Sequence, residues 1–199
     1  MSSNTPAPKL SDDVINQIKD FPKPKYDGHR FYDELTEEQK SLIDELIPNE
    51  ELRERFKKYG LCKECSQPNT GYKWCQSCNS THFQQDFNKW TSGNKEIDEF
   101  IQKFQLNATR WQEVLEWIPY EKFSNIEYLA KGGFGTVHKA KWIDGYIRYW
   151  NIKQNKLYRY NANEYIVLKC LNNSQNLATD FLQEVCIDII FIKCILIFN

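Results

Sequence analysis

Apolar positions along the first half of the chain recur at helical spacing. Ser11-Asp-Asp-Val-Ile-Asn-Gln-Ile-Lys-Asp-Phe21 puts Val14, Ile18 and Phe21 on one face behind a capping Ser11, which predicts a short docking helix or a frayed turn. Around it, Pro6, Pro8, Pro22 and Pro24 predict a mostly disordered opening over residues 1–31. Thr36-Glu-Glu-Gln39 has capping-box spacing. The helix it opens turns Leu42, Ile43, Leu46 and Ile47 inward and stops at Pro48. Asn49 caps a second helix carrying Leu52, Phe56 and Tyr59, and Gly60 suits its C-terminal end. After the turn Trp90-Thr-Ser-Gly-Asn94, the set Ile97, Phe100, Ile101 and Phe104 follows the i, i+3, i+4, i+7 rule. Trp111, Val114, Leu115 and Ile118 repeat it up to Pro119 and predict a helical linker over 106–122. These stripes read as packing faces that dock one module on the next.

From Phe123 the pattern shortens to strands. Thr136-Val-His-Lys-Ala-Lys-Trp142 and Tyr165-Ile-Val-Leu-Lys169 are β-leaning and unpunctuated. Between them, Tyr146, Tyr149 and Trp150 face Tyr158 and Tyr160 across a turn near Gln154-Asn155. This predicts an aromatic hairpin that lengthens the flanking strands, with cross-strand packing as the role of the tyrosines. The isoleucine-rich run from Val185 to Phe198 contains Asp188 and Lys193 and is too short to span a bilayer. It reads as an atypical apolar tail over 186–199, and as an aggregation hazard if left exposed.

Composition narrows the class. The 199 residues leave room for one ordinary domain or two small ones. A net charge of −1 gives no basic field for nucleic acid, and an aromatic content of 15% argues against wholesale disorder. The opening Met-Ser-Ser-Asn-Thr-Pro-Ala-Pro-Lys lacks the apolar core of a secretory signal. The expectation is an intracellular chain, cytoplasmic or nuclear, with no membrane contact and reduced cysteines.

Four of those cysteines carry candidate chemistry. Cys62 and Cys65, then Cys75 and Cys78, form two Cys-x2-Cys pairs separated by a reversal at Pro68-Asn-Thr-Gly71. Each pair can aim two thiolates at one point, and together they can surround a tetrahedral Zn²⁺ at ~2.3 Å. Disulfides or metal-free thiols are the alternatives. His82 follows closely enough to replace a ligand, although four thiolates already close the site. A closed four-sulfur site has no position for a reacting water, so its predicted role is structural.

The second candidate is Ile126-Glu-Tyr-Leu-Ala-Lys-Gly-Gly-Phe-Gly-Thr-Val-His-Lys-Ala140. Glycines without Cβ atoms let backbone N–H groups approach phosphate oxygens. No Gly-Lys-Ser/Thr follows, and the next segment reads as a strand, which removes the Walker and dinucleotide alternatives. Further on come Lys169, ending a strand, and Glu184, in the helix-like Phe181-Leu-Gln-Glu-Val185. Glycine hairpin, Val137, Lys169 and Glu184, in this order, resemble the N-terminal lobe of a protein kinase. The likeness is closest to tyrosine-kinase-like enzymes, and the chain is similar to the expanded kinase families of arbuscular mycorrhizal fungi. The general kinase motifs cover about 123–185; the fungal similarity also takes in the cysteine segment.

This resemblance implies that Gly132, Gly133, Phe134 and Gly135 cover the phosphates of ATP. It makes Leu129, Ala130, Val137 and Val167 part of the nucleotide site, with Leu129, Val137 and Val167 lining the adenine pocket. Lys169 would hold the α- and β-phosphates and Glu184 would orient Lys169. Ala130 stands where the first loop glycine usually stands, and Val167 replaces a small alanine. Neither a His-Arg-Asp loop nor an Asp-Phe-Gly is present in the 199 residues, so the groups that accept the substrate proton and hold Mg²⁺ are missing. The expectation is a truncated kinase lobe that binds ATP weakly and transfers no phosphate by these residues alone, with Mg²⁺ bound only in a full-length form. The fold expected is α+β: helices and a zinc knuckle over 32–105, the linker, then a partial lobe of antiparallel strands plus the start of a helix over 123–185. The competing reading is a non-catalytic adaptor whose zinc module binds a protein partner.

Overall fold

The computed structural model describes residues 8–26, 29–32, 34–132, 135–171 and 194–198, and the chain divides into two units, Met1–His82 and Phe83–Asn199. In the first unit, helix α1 (Asp12–Ile18) starts at Ser11, whose hydroxyl accepts from the Val14 amide at 3.4 Å. Helix α2 (Glu37–Leu46) carries both bonds of the capping box: Gln39 N–H to Thr36 Oγ1 at 3.2 Å and Thr36 N–H to Gln39 Oε1 at 3.0 Å. Helix α3 (Glu50–Tyr59) is capped by Asn49, which accepts from the Leu52 amide at 2.9 Å. It stops at Gly60, where φ 68° and ψ −170° occupy a region essentially confined to glycine. Helices of 7 to 10 residues are too short to persist alone. A shared cluster holds them, formed by Leu10, Ile15, Ile18, Leu35, Ile43, Ile47, Leu52 and Phe56.

That cluster corrects the expectation for the opening. Residues 1–7 lie outside the described residues; the helix expected from Ser11 is formed, and Leu10, Ile15 and Ile18 of this stretch enter the core. Burial of Leu10, Ile15 and Ile18 supplies the reason, with Val14 and Phe21 half-buried at the margin. Strands β1 (Lys25–Tyr26) and β2 (Phe31–Tyr32) pair antiparallel after it.

Helix α4 (Gln76–Asp86) begins directly after Cys75 and contains Cys78. In the second unit, helix α5 (Lys95–Asn107) is capped by Asn94, which accepts from the Glu96 and Ile97 amides. Ile97, Phe100 and Ile101 bury against Leu115, with Trp90, Phe104 and Trp117 packed beside them. The helix expected over 111–118 is not formed. A 3-10 turn at Trp111–Glu113 is followed by chain without regular secondary structure up to Pro119. Leu115 enters the α5 cluster while Ile118 packs on the sheet, so the two residues serve different cores. The Gln105 side-chain amide donates to the Leu115 carbonyl at 2.8 Å and ties the segment to α5.

Strands β3 (Phe123–Gly132), β4 (Gly135–Trp142), β7 (Glu164–Leu171) and β8 (Cys194–Phe198) form one sheet in the order β3-β4-β7-β8. Strands β5 (Tyr146–Asn151) and β6 (Lys156–Tyr160) form a separate two-stranded sheet, so the aromatic hairpin does not lengthen its neighbours. The ladder breaks because the chain turns sharply where it enters and leaves the hairpin. Gly145 has φ 68°, and Asn161 and Asn163 have φ 58° and 63°. A Cβ on Gly145 would lie 2.2 Å from the Tyr160 carbonyl oxygen, a contact only glycine avoids. Cross-strand packing of the tyrosines is as expected: Tyr149 stacks on Tyr158 at 4.7 Å, and Tyr146 meets Tyr160 edge-on at 6.0 Å. Glu116 anchors the hairpin, accepting from Arg159 and from the Ile147 amide at 3.3 Å, while Arg159 also donates to the Gly145 carbonyl at 2.7 Å. Burial pushes the Glu116 carboxyl above its ordinary range despite the pull of the Arg159 guanidinium.

One pairing departs from an all-antiparallel lobe. Strand β8 runs parallel to β7, from Val167 opposite Cys194 to Leu171 opposite Phe198. The end of the apolar tail therefore occupies the edge of β7, where its β-branched residues suit a strand. Residues 172–193, with Glu184 and the expected helix, lie outside the described residues. Among the described residues no helix is long and apolar enough to cross a membrane.

Candidate metal centre and the lysine face of the sheet

The cysteine segment is built from two reversals and a helix start. In the first, the Ser66 amide donates to the Cys62 carbonyl at 3.0 Å and the Cys62 amide to the Gln67 carbonyl at 2.8 Å. Leu61 and Pro68 bridge its base. In the second, Gly71 and Trp74 exchange amide bonds at 3.0 and 3.1 Å, and Trp74 is fully buried. Cys75 then leads into α4 and Cys78 lies in its first turn, where the positive end of the helix dipole favours thiolates. Thr70 Oγ1 accepts from the Gln76 amide at 3.0 Å and helps satisfy that helix start.

The four sulfurs converge. Cys62, Cys65, Cys75 and Cys78 Sγ atoms all lie within 4.8 Å of one another. Cys62 to Cys78 measures 3.8 Å and Cys65 to Cys75 measures 3.6 Å. A tetrahedral zinc with Zn–S of ~2.3 Å sets its sulfurs ~3.8 Å apart, whereas a disulfide needs ~2.0 Å. The geometry therefore fits one metal ion of zinc type, and the four residues are free cysteines. Backbone amides also aim at the sulfurs: Glu64 N–H at Cys62 Sγ, 3.4 Å, Gln67 N–H at Cys65 and Cys78 N–H at Cys75. Hydrogen bonds from Cys62 and Cys75 hold the Cys65 thiol far below its ordinary range. Cys75 is pushed up, first by Cys62 and Cys65, and Cys78 is pushed up by burial and by the charge of Cys62. His82 stays outside this group, with Nε2 3.0 Å from Glu64 Oε2.

The sheet supplies the second arrangement. Ala140, Trp142, Ile166 and Leu168 bury on one face with Phe123. By strand alternation, Val137, Lys139, Lys141, Tyr165, Val167 and Lys169 share the other. Val137 is directly opposite Lys169, Lys139 opposite Val167, and Lys141 opposite Tyr165. Gly132 pairs with Gly135 at the closed end of the β3–β4 hairpin, and Ala130 pairs with Val137. Leu129 falls in the bulge between Tyr128 and Ala130 and is 52% exposed. Gly133, Phe134 and Glu184 lie outside the described residues. Three members of this face carried no motif: Lys139 and Lys141 place their ammonium groups 4.0 and 5.2 Å from the Tyr165 ring centroid. Their i, i+2 spacing around Val137 and Val167 was the signal available for them.

Comparison with protein-family models, with curated proteins and with solved structures finds no match to this chain.

Proposed function

We propose that strands β3, β4 and β7 form the nucleotide-covering half of a protein-kinase-like lobe, in a chain whose N-terminal unit is folded around a structural zinc ion. The observation that carries this reading is the register: a glycine hairpin closes at Gly132 and Gly135, and two residues further along β4 Val137 stands opposite Lys169. In this reading the hairpin backbone covers the phosphates of ATP. Leu129, Val137 and Val167 contact the adenine, Lys169 meets the α- and β-phosphates, and Glu184 orients Lys169. The 199 residues contain no His-Arg-Asp and no Asp-Phe-Gly, so the activity proposed for them is ATP binding, not phosphate transfer.

A lysine-reactive acyl-phosphate derivative of ATP tests this. Labelling is expected to concentrate on Lys169, to fall when ATP is added, and to disappear in Lys169→Met. Labelling spread evenly over Lys131, Lys139 and Lys141, or indifferent to ATP, would contradict it.

The convergence of four cysteine sulfurs favours a second reading, a zinc-module adaptor that binds a protein through its N-terminal unit. That reading requires partner capture to survive Lys169→Met and to be lost on chelation.

A further inference from the structure

The loop joining the two cysteine pairs is gripped by side chains and backbone that belong to the N-terminal core. Gln67 makes a two-point contact with Leu10, 57 residues away: the Leu10 amide donates to Gln67 Oε1 at 2.7 Å and Gln67 Nε2 donates to the Leu10 carbonyl at 3.0 Å. Leu10 is itself a buried member of the α1–α3 cluster. Arg55, on α3, donates to the Pro68 carbonyl at 2.5 Å and to the Asn69 carbonyl at 3.2 Å. Buried Asn69 returns a bond to the helix end, from Nδ2 to the Tyr59 carbonyl at 3.2 Å, and its amide donates to the Gly60 carbonyl at 2.9 Å. None of these groups touches a sulfur through its side chain. All of them fix Gln67–Asn69, the three residues that set where the second reversal starts relative to the first. The same Gln67 offers its backbone amide to Cys65.

We propose that metal capture at the four cysteines and ordering of α1 against α2 and α3 are one coupled event, transmitted by Gln67 and Arg55 as positioning residues. With the metal bound, the loop holds the geometry that Leu10 and Arg55 require. Without it, no bond ties the first reversal to the second, and the loop no longer holds Gln67 against Leu10 or two adjacent carbonyls against Arg55. Leu10 leads directly into Ser11 and α1, so release at Leu10 frees the start of that helix. The proposal rests on the metal reading and is independent of the nucleotide reading.

Hydrogen exchange of the full chain, zinc-loaded and chelated, provides the first test. Removing zinc is expected to strip protection from the α1 amides of Ile15 and Lys19, which bond to Ser11 and Ile15 carbonyls, as well as from the cysteine loop. Unchanged α1 protection in a chain that loses its zinc would overturn the coupling, while a chain that takes up no zinc fails the metal reading first. The second test is zinc affinity by chelator competition in Gln67→Ala and Arg55→Ala. Each is expected to bind about 10-fold more weakly, as outer-shell changes do, while the cobalt-substituted protein keeps the spectrum of four thiolates. Arg55→Lys is expected to recover little, because one ammonium does not span two carbonyls as a guanidinium fork does. Wild-type affinity in both alanine variants, or a spectrum reduced to three thiolates, would remove these residues from the positioning role.

Discussion

Cys75→Ser is expected to abolish stable metal binding and to unfold the cysteine loop with it. Structural zinc in small finger peptides contributes ~10–16 kcal/mol, comparable to or larger than the ~5–15 kcal/mol stability of a whole domain. Losing even a third of that contribution, ~3–5 kcal/mol, is a large fraction of such a margin. Along residues 61–80 the buried side chains are Cys62, Pro68, Asn69, Trp74, Cys75 and Asn79. Cys75 is the sharpest choice because it is buried and ends the second reversal. A serine there leaves three thiolates and an alkoxide precursor that does not ionise in this range. The measurement is far-UV circular dichroism with added zinc, in wild type and variant. The wild type should gain helix and the variant should not. A variant that folds and melts like the wild type would show that the cluster is dispensable.

Leu168→Ala is expected to cost ~2–5 kcal/mol in urea unfolding, the range for a large aliphatic side chain removed from a packed core. Leu168 is fully buried in β7, packed with Phe123, Ala140, Trp142 and Ile166. Its neighbour Val167 shares the opposite face with Val137 and Lys169. Val167→Ala should therefore cost well under half as much as Leu168→Ala and should instead reduce labelling of Lys169 by the ATP probe. The pair separates packing from binding along two adjacent residues. Equal stability losses with unchanged labelling would mean that the two faces do not divide in this way.

Much of this was legible in the chain because the signals were local. Thr36 with Gln39, Asn49 and Asn94 each satisfy orphan amides within a few residues, so their spacing alone marks the helix starts. The cysteine pairs were equally plain, since two short turns can aim their sulfurs without help from distant chain. What was not legible depended on contacts far apart in sequence. Leu10 and Ile15 become core residues only because α2 and α3 offer them a cluster. Residues 111–118 carry a helical spacing, yet they form only a 3-10 turn at Trp111–Glu113 because Leu115 and Ile118 answer to different cores and Gln105 holds the Leu115 carbonyl. Ser66 and Lys73 adopt φ 58° and 54° in the two reversals, with no glycine at either position to announce it. The separation of the aromatic hairpin from the main sheet likewise follows from paired turns at Gly145 and Asn161–Asn163, whose joint effect neither turn reveals alone. The opposition of Val137 and Lys169 is of this kind too. It is a register between strands separated by a second sheet, and a motif order suggests it without fixing it.

Native mass spectrometry of the full chain, with a denatured sample beside it, tests the metal centre most directly. The account predicts one zinc ion per chain, lost on denaturation, with four thiols then available to alkylation at Cys62, Cys65, Cys75 and Cys78. A chain that carries no metal after purification without chelator, or one in which these cysteines are joined as disulfides, would contradict it.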